Sequence, residues 1–260
     1  MSTERFRMGR ALPRLAFTFA AVSVLFGTAL PAQQELPSPR SIIDRHIEAT
    51  GGRKAVLAHA SMRMAGTVTV PSNGMTGSFE AFAAKPNKVF VRNAVAGIGE
   101  TLEGFDGRVA WTTSPLTGPM RLQGKQLEQT KFDADFYGEL RPAERYASMK
   151  TLEKTMWEGR PSYKVSLVRR DGSEDIEYYD VETGFKTGRV VTREMLMMGA
   201  VPVTYVAMDY RRFGNLMHAV TTKQKVMGAQ VVMTITSVEY DKVDPAVFEL
   251  PAAVKALIKQ

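Results

Sequence analysis

The stretch "EDIEYYDVETGFKTGRVV" at residues 174–191 decides how the rest of the chain is read. Glu182-Thr183-Gly184 is turn-forming sequence, because glycine supplies the left-handed backbone that a tight reversal needs. On either side lie runs rich in tyrosine, isoleucine and valine, residues that fit a pleated, half-buried surface. The stretch reads as strand, turn, strand.

The same grammar recurs outward from it. Turn signals stand at "PSNG" (71–74), "KPNK" (85–88), "DG" (106–107 and 171–172), "FGN" (213–215) and "MGAQ" (227–230). Between them lie "RVAWTTS", "SYKVSLVRR", "VTYVAMDYRR", "AVTTKQKV" and "VVMTITSVEY". Hairpin-length connections make these a meander of about ten antiparallel strands. In "MRMAGTVTV", period two puts Met62, Met64, Gly66, Val68 and Val70 on one side and Arg63, Thr67 and Thr69 on the other.

Two regions break the pattern. In "ELPSPRSIIDRHIEATGG", Ser38 can cap a helix and Pro39 suits its first position. Ile42, Ile43, Ile47 and Ala49 then share a face before Gly51-Gly52 stops it. A short second helix is expected over "RKAVLAHA". Residues 124–149 lack alternation and carry Leu127, Phe132, Phe136, Tyr137, Leu140 and Tyr146, which predicts one or two short helices broken at Pro142. A sheet this long must curl or pair its edges, and helices laid across its open face bury apolar surface on both.

The chain opens with Arg5, Arg7, Arg10 and Arg14 ahead of an apolar run from Leu15 to Leu30 and then Pro31-Ala32. That is the pattern of a secretory signal peptide, and the run is short of the ~20 residues a membrane span needs. Cleavage after Ala32 leaves 228 of the 260 residues, expected to form a single exported, periplasmic domain over 33–260. Removing four Arg and one Glu from 34 basic and 27 acidic residues leaves 30 and 26, a net charge of +4. This charge is interleaved along the chain, which argues against a nucleic-acid partner. With no cysteine there is no disulfide, no thiolate site and no lipidated N-terminal Cys.

Catalytic motifs are missing. His46, His59 and His218 form no pair at helical metal-ligand spacing, so neither a metal nor another cofactor is expected. There is no GxSxG elbow. "GPMRLQGKQ" (118–126) has the wrong spacing for a phosphate loop and reads as a turn. The neighbouring carboxylates Asp133/Asp135 and Glu174/Asp175 read as solvated surface charge, with no partner motif for acid–base work. A hydrolase ranks last, since no converging acid, base and nucleophile show in the spacing.

Thirteen methionines remain after the 15 are reduced by Met1 and Met8, and methionine suits irregular apolar pockets. Singly they read as core; the cluster 195–198 reads as either a covered segment or a contact surface. Trp111 and Trp157 read as core anchors.

"IIDRHIEATGG", "FDGRVAW", "YYDVETGFKTGRV", "DYRRFGNLMHAVTTKQ" and "ITSVEYDKVDPAVFELP", in this order behind a signal peptide, resemble the LolA-like outer-membrane lipoprotein-sorting superfamily over nearly the whole mature chain. The resemblance implies a mainly β (α+β) domain: a curved antiparallel sheet forming an incomplete β-barrel, its concave face covered by helices. It also implies that residues 178–191 are two adjacent strands, with Asp180 and Gly184 shaping the turn. Acyl chains of a lipid or acylated lipoprotein would lie against the concave face, with transient contact at a membrane or membrane protein, and without catalysis.

Strand alternation and the expected lid then nominate Met64, Val68, Phe79, Phe90, Trp111, Phe132, Phe136, Tyr179, Tyr205 and Met233 as cavity lining. The alternative is an envelope sensor or adaptor that docks a protein partner, favoured if residues 195–198 face solvent and disfavoured if they lie buried beside a large cavity.

Overall fold

The computed structural model describes residues 35–195 and 198–258. The expected signal peptide, and Leu196 and Met197 of the methionine cluster, lie outside the described residues.

Helix α1 (Pro39–Ala49) forms as its sequence dictates. Ser38 Oγ accepts a hydrogen bond from the Ser41 amide at 3.1 Å, and Pro39 occupies the first turn. Ile42, Ile43, His46 and Ile47 make its buried face. Gly51 follows at φ +130, and a Cβ there would come within 2.7 Å of the Asn215 carbonyl. The helix therefore ends against the sheet. A one-turn helix α2 (Arg53–Leu57) follows.

The first limb of the sheet is β1 (Ser61–Val70), β2 (Met75–Ala84), β3 (Lys88–Val95), β4 (Gly99–Phe105), β5 (Ala110–Ser114) and β6 (Gly118–Arg121). Then come α3 (Gly124–Ala134), a 3-10 turn (Gly138–Leu140) and α4 (Pro142–Arg145). The second limb is β7 (Tyr146–Trp157), β8 (Arg160–Arg169), β9 (Glu174–Asp180), β10 (Lys186–Met195), β11 (Gly199–Phe213), β12 (Leu216–Val226) and β13 (Ala229–Tyr240). A 3-10 turn (Pro245–Phe248) and α5 (Ala252–Ile258) close the described chain.

These strands form one antiparallel sheet in the order β6-β5-β4-β3-β2-β1-β13-β12-β11-β10-β9-β8-β7. Two meanders spread from the central β1/β13 pair, and the sheet curves without closing, as the sequence led us to expect. Its edges are β6 and β7, which are consecutive strands. The segment joining them must cross from one rim to the other, and this places α3, the 3-10 turn and α4 over the inner face.

Thirteen strands replace the expected ten or so. The extra ones include β4 (GETLEGF) and β6 (GPMR), whose glycines and charges blur alternation. Residues 118–126 are not a turn: Gly118–Arg121 is edge strand β6, where Pro119 is tolerated, and Gly124 opens α3. Pro142 begins α4 instead of breaking a helix, and Tyr146 to Met149 belong to β7.

The hairpin at residues 174–191 is β9 and β10. Asp180 Oδ1 accepts from the Glu182 and Thr183 amides at 3.0 and 2.7 Å and from Thr183 Oγ1 at 2.8 Å. Gly184 takes φ +76, and a Cβ there would meet Arg45 Cγ at 3.0 Å. Arg45 donates to the Val181 and Glu182 carbonyls at 2.8 and 2.6 Å, which docks the turn on α1.

Two cores hold the helices on the inner face. Ile42, Ile43, Ile47 and Leu140 pack on Val165, Leu167 and Tyr179, and Ala134 and Leu127 of α3 pack on Phe105 and Ala110. Outside, Trp111 lies over Gly104, where a Cβ would sit 2.7 Å from the indole. The C-terminal 3-10 turn packs on β3 and α5 on β6, with Phe248 and Val254 buried.

Candidate functional site

Residues opposite one another on antiparallel strands share a face, so register shows what the inner surface offers. Met62, Ala83 and Val89 form one cross-strand row; Met64, Ala81 and Val91 form the next. Each row sets a small alanine between larger side chains, leaving a furrow. The following row pairs Gly66 with Phe79, and Phe79 fills the space above the glycine, where a Cβ would meet its ring at 2.7 Å. Phe79 is 3% exposed and stops the furrow on that side.

Above the furrow is a cavity of about 570 Å³, within the range of small-molecule sites. Met62, Met64, Ala81, Ala83, Val89 and Val91 line its sheet side, Val56, Ala134 and Phe136 its helical side, and Leu216, Met217 and Tyr240 the second limb. The Phe136 amide donates to the Pro86 carbonyl at 3.1 Å, which fixes the roof to the β2–β3 turn.

All three histidines border this cavity although they are distant in sequence. His59 stacks on Tyr240 with centroids 4.1 Å apart, its Nδ1 2.8 Å from Asp241 Oδ2 and its Nε2 2.7 Å from Asn215 Oδ1. Burial disfavours its charged form, but the bonds to Asn215 and Asp241 outweigh that and raise its pKa. His46 and His218 are pushed down, chiefly by burial. His46 Nδ1 accepts from the Lys186 amide at 3.2 Å, and His218 Nε2 lies 2.5 Å from the Tyr240 hydroxyl. Among the described residues no three His, Asp or Glu side chains come together as a metal site.

Across Phe136, Glu139 and Lys186, which line both, lies a smaller chamber of about 240 Å³ under the 3-10 turn and α4. Its lining is charged: Asp133, Asp135, Glu139, Glu177, Arg145, Lys186 and Arg189, with Tyr146 and Tyr179. Lys186 pairs with Glu139, whose carboxyl it draws down to about 2, and lies 3.5 Å from Glu177. Asp175, 1% exposed, holds Arg169 at 2.8 Å and Arg189 at 2.7 Å. Asp133 pairs with Arg193, and Asp135 with Arg141 at 2.8 Å. Burial disfavours charged Lys186 and Arg189, but their carboxylate neighbours raise both pKa values.

Asp133, Asp135 and Asp175 were expected at the solvated surface, and all three instead enter this ion-pair network. In "EDIEYYD" the apolar Ile176 and Tyr178 face outward and Asp175, Glu177 and Tyr179 inward, an inversion that average polarity hides.

Beyond α3 lies a third, more polar trough of about 520 Å³, lined by Glu103, Thr112, Gln126, Gln129, Tyr205 and Gln224 among others. Met195 and Met198 border it, Met198 being 53% exposed.

The nominated residues therefore separate. Met64 and Phe136 line the main cavity. Phe79, Val68 and Met233 share its face, Phe79 closing the furrow and Val68 opposite Met233 one row further. Tyr205 lines the polar trough. Tyr179 is buried beneath α1, its hydroxyl bonded to Glu177. Phe132 is clasped between two guanidinium groups, Arg145 at 3.8 Å and Arg169 at 3.9 Å. Phe90 and Trp111 share a row through Gly104 and lie on the outer face, since Val89, next to Phe90 along β3, faces in. Missed by the sequence reading were Met62, Ala81, Ala83 and Val91, although the period-two run from Met62 already places Met62 beside Met64.

No known protein family matches the sequence, and no curated protein does. Solved structures do. A LolA superfamily protein from Nitrosomonas europaea superimposes with a TM-score of 0.55 at 11% identity, covering 83% of this chain and 99% of its own. A DUF1329 family protein from Desulfovibrio piger gives 0.54 at 11% identity, covering 82% and 98%. By its sheet, its helical cover and these likenesses, the chain has the LolA-like fold.

Proposed function

We propose that the protein is a non-catalytic periplasmic carrier, exported by a cleaved signal peptide over residues 1–32, that holds the acyl chains of a lipid or lipoprotein. The observation that carries this reading is the pair of Met–Ala–Val rows under Phe136, an apolar furrow roofed by helices. Each methylene transferred there from water contributes about 0.8 kcal/mol. Methionine side chains adapt to a flexible chain, and the alanines keep the space open. The LolA-like fold is in keeping with such a role.

The alternative, an adaptor that docks an envelope protein, draws on exposed Met198.

Native mass spectrometry with lipid extraction, on protein released gently from its own envelope, tests the carrier. A co-purifying acyl-bearing mass is the expected result. A folded, empty protein that also refuses added acyl chains overturns it.

A further inference from the structure

The charged chamber holds more donors than its own acceptors engage. Arg189 Nε is buried without a hydrogen-bond partner, its nearest carboxylate oxygen, Glu177 Oε1, standing 3.8 Å away. The Arg145 guanidinium makes no hydrogen bond among the described residues, and its ion-pair partner Asp135 Oδ2 stands 3.5 Å from Nη1. The Tyr146 hydroxyl, pushed up to about 12 by burial and by the charge of Glu177, stays a neutral O–H with no partner among the described residues.

All three residues line the chamber. The carboxylates beside them have their shortest bonds elsewhere: Glu139 with Lys186, Glu177 with the Tyr179 hydroxyl, Asp133 with Arg193 and Asp135 with Arg141. An unmade donor in a buried site is costly. What Arg189 Nε lacks is an oxygen acceptor.

Its construction points the same way. Gly138 has no side chain, and the Arg145 guanidinium occupies the place a Cβ would take. Phe132 supports the opposite face of that guanidinium at 3.8 Å. The arginine is thus held in place with its N–H groups short of hydrogen-bonding distance to Asp135.

The chamber and the apolar cavity share Asp133, Asp135, Phe136, Glu139 and Lys186 along their boundary. The two are therefore adjacent. We propose that the charged chamber is the head-group subsite of the acyl cavity, taking a singly charged oxyanion, carboxylate or phosphodiester, on Arg145, Arg189 and Tyr146. This rests on the acyl-carrier reading and specifies its ligand as an anionic amphiphile.

The test is equilibrium binding of four probes with the same twelve-carbon chain: dodecanoate, a dodecanoyl lysophosphatidylglycerol, dodecanol and dodecyltrimethylammonium. The two oxyanion probes are expected to bind at least about ten-fold tighter than dodecanol, and the ammonium weakest. Tyr146→Phe and Arg145→Gln should each shrink the advantage over dodecanol while dodecanol binding stays unchanged. Thermal melts report folding; if Arg145→Gln fails to fold, the conservative Tyr146→Phe decides. Whichever oxyanion binds tighter identifies the source of the head group, and either supports the subsite. Equal binding of dodecanoate and dodecanol, or tightest binding of the ammonium, overturns the subsite and leaves the carrier standing. Failure of every probe, dodecanol included, overturns the carrier reading and the subsite with it.

Discussion

Gln129 and Glu194 are joined as if they were paired strand residues: Gln129 Oε1 accepts from the Glu194 amide at 3.1 Å while its Nε2 donates to the Thr192 carbonyl at 3.1 Å. The pairing of β9 with β10 ends at Ile176 opposite Val190, which leaves this part of β10 without a strand neighbour on that side. One side-chain amide of α3 supplies the missing partner. Gln129→Ala should cost about 1 kcal/mol, because the orphaned groups are in part reached by water. Faster hydrogen exchange at the Glu194 amide is the specific readout; unchanged protection there would show that the bond does not hold helix to sheet.

The furrow depends on small side chains at Ala81 and Ala83. Ala81→Leu projects into existing space, so the fold should survive while affinity for an acyl probe falls at least about ten-fold. Gly66→Ala is the contrasting change: its Cβ meets the Thr234 carbonyl and the Phe79 ring, and backbone cannot yield as a side-chain tip can. Its melting temperature should drop where that of Ala81→Leu does not, and the reverse order would contradict the packing described.

Histidine ring NMR should separate the three residues, with His59 titrating above its ordinary 6.5 and His46 and His218 below it. The stability from His59 is complete below the unfolded pKa and disappears as pH rises through the folded one. Asp241, held low by hydrogen bonds from the Ala60 amide and His59, has the opposite sign and loses its contribution as pH falls below 3.8. The His59–Asp241 tie is therefore strongest between these limits, and His59→Gln should flatten the alkaline side of the stability profile. A profile unchanged on that side would refute the assignment.

Trp111 is 2% exposed on the outer face. Trp111→Ala should destabilise by about 3–5 kcal/mol. Acyl binding per folded molecule should be unaltered, whereas a selective loss of binding at constant stability would place the indole in the cavity after all.

What the sequence disclosed follows from where its chemistry is one-sided. Helix α1 was legible because Ser38, Pro39, the isoleucines and the Gly51-Gly52 stop agree with one another, and the 174–191 hairpin because Asp180 and Gly184 leave the backbone little choice. Clean alternation in β1 put Met64 on the face that lines the main cavity, whereas Phe90 and Trp111 lie on the other face. In β3, "VFV" is apolar on both faces, so nothing local tells Val89 from Phe90, and one position decides inside from outside. The charged chamber was illegible for a different reason. Asp175, Glu177, Lys186 and Arg189 are ordinary surface residues until a segment 30 or more positions earlier in the chain, from Asp133 to Arg145, is laid on top of them.

The central β1/β13 pair sets Met62 opposite Tyr240, so the seam of the sheet joins its first strand to its last. Each limb is a meander of local hairpins that can form by itself, but the two are united only through contacts distant in sequence, the slow kind. The main cavity draws walls from both limbs and so comes into existence last. Until Tyr240 has emerged, the chain has strands and turns but its main cavity lacks a wall.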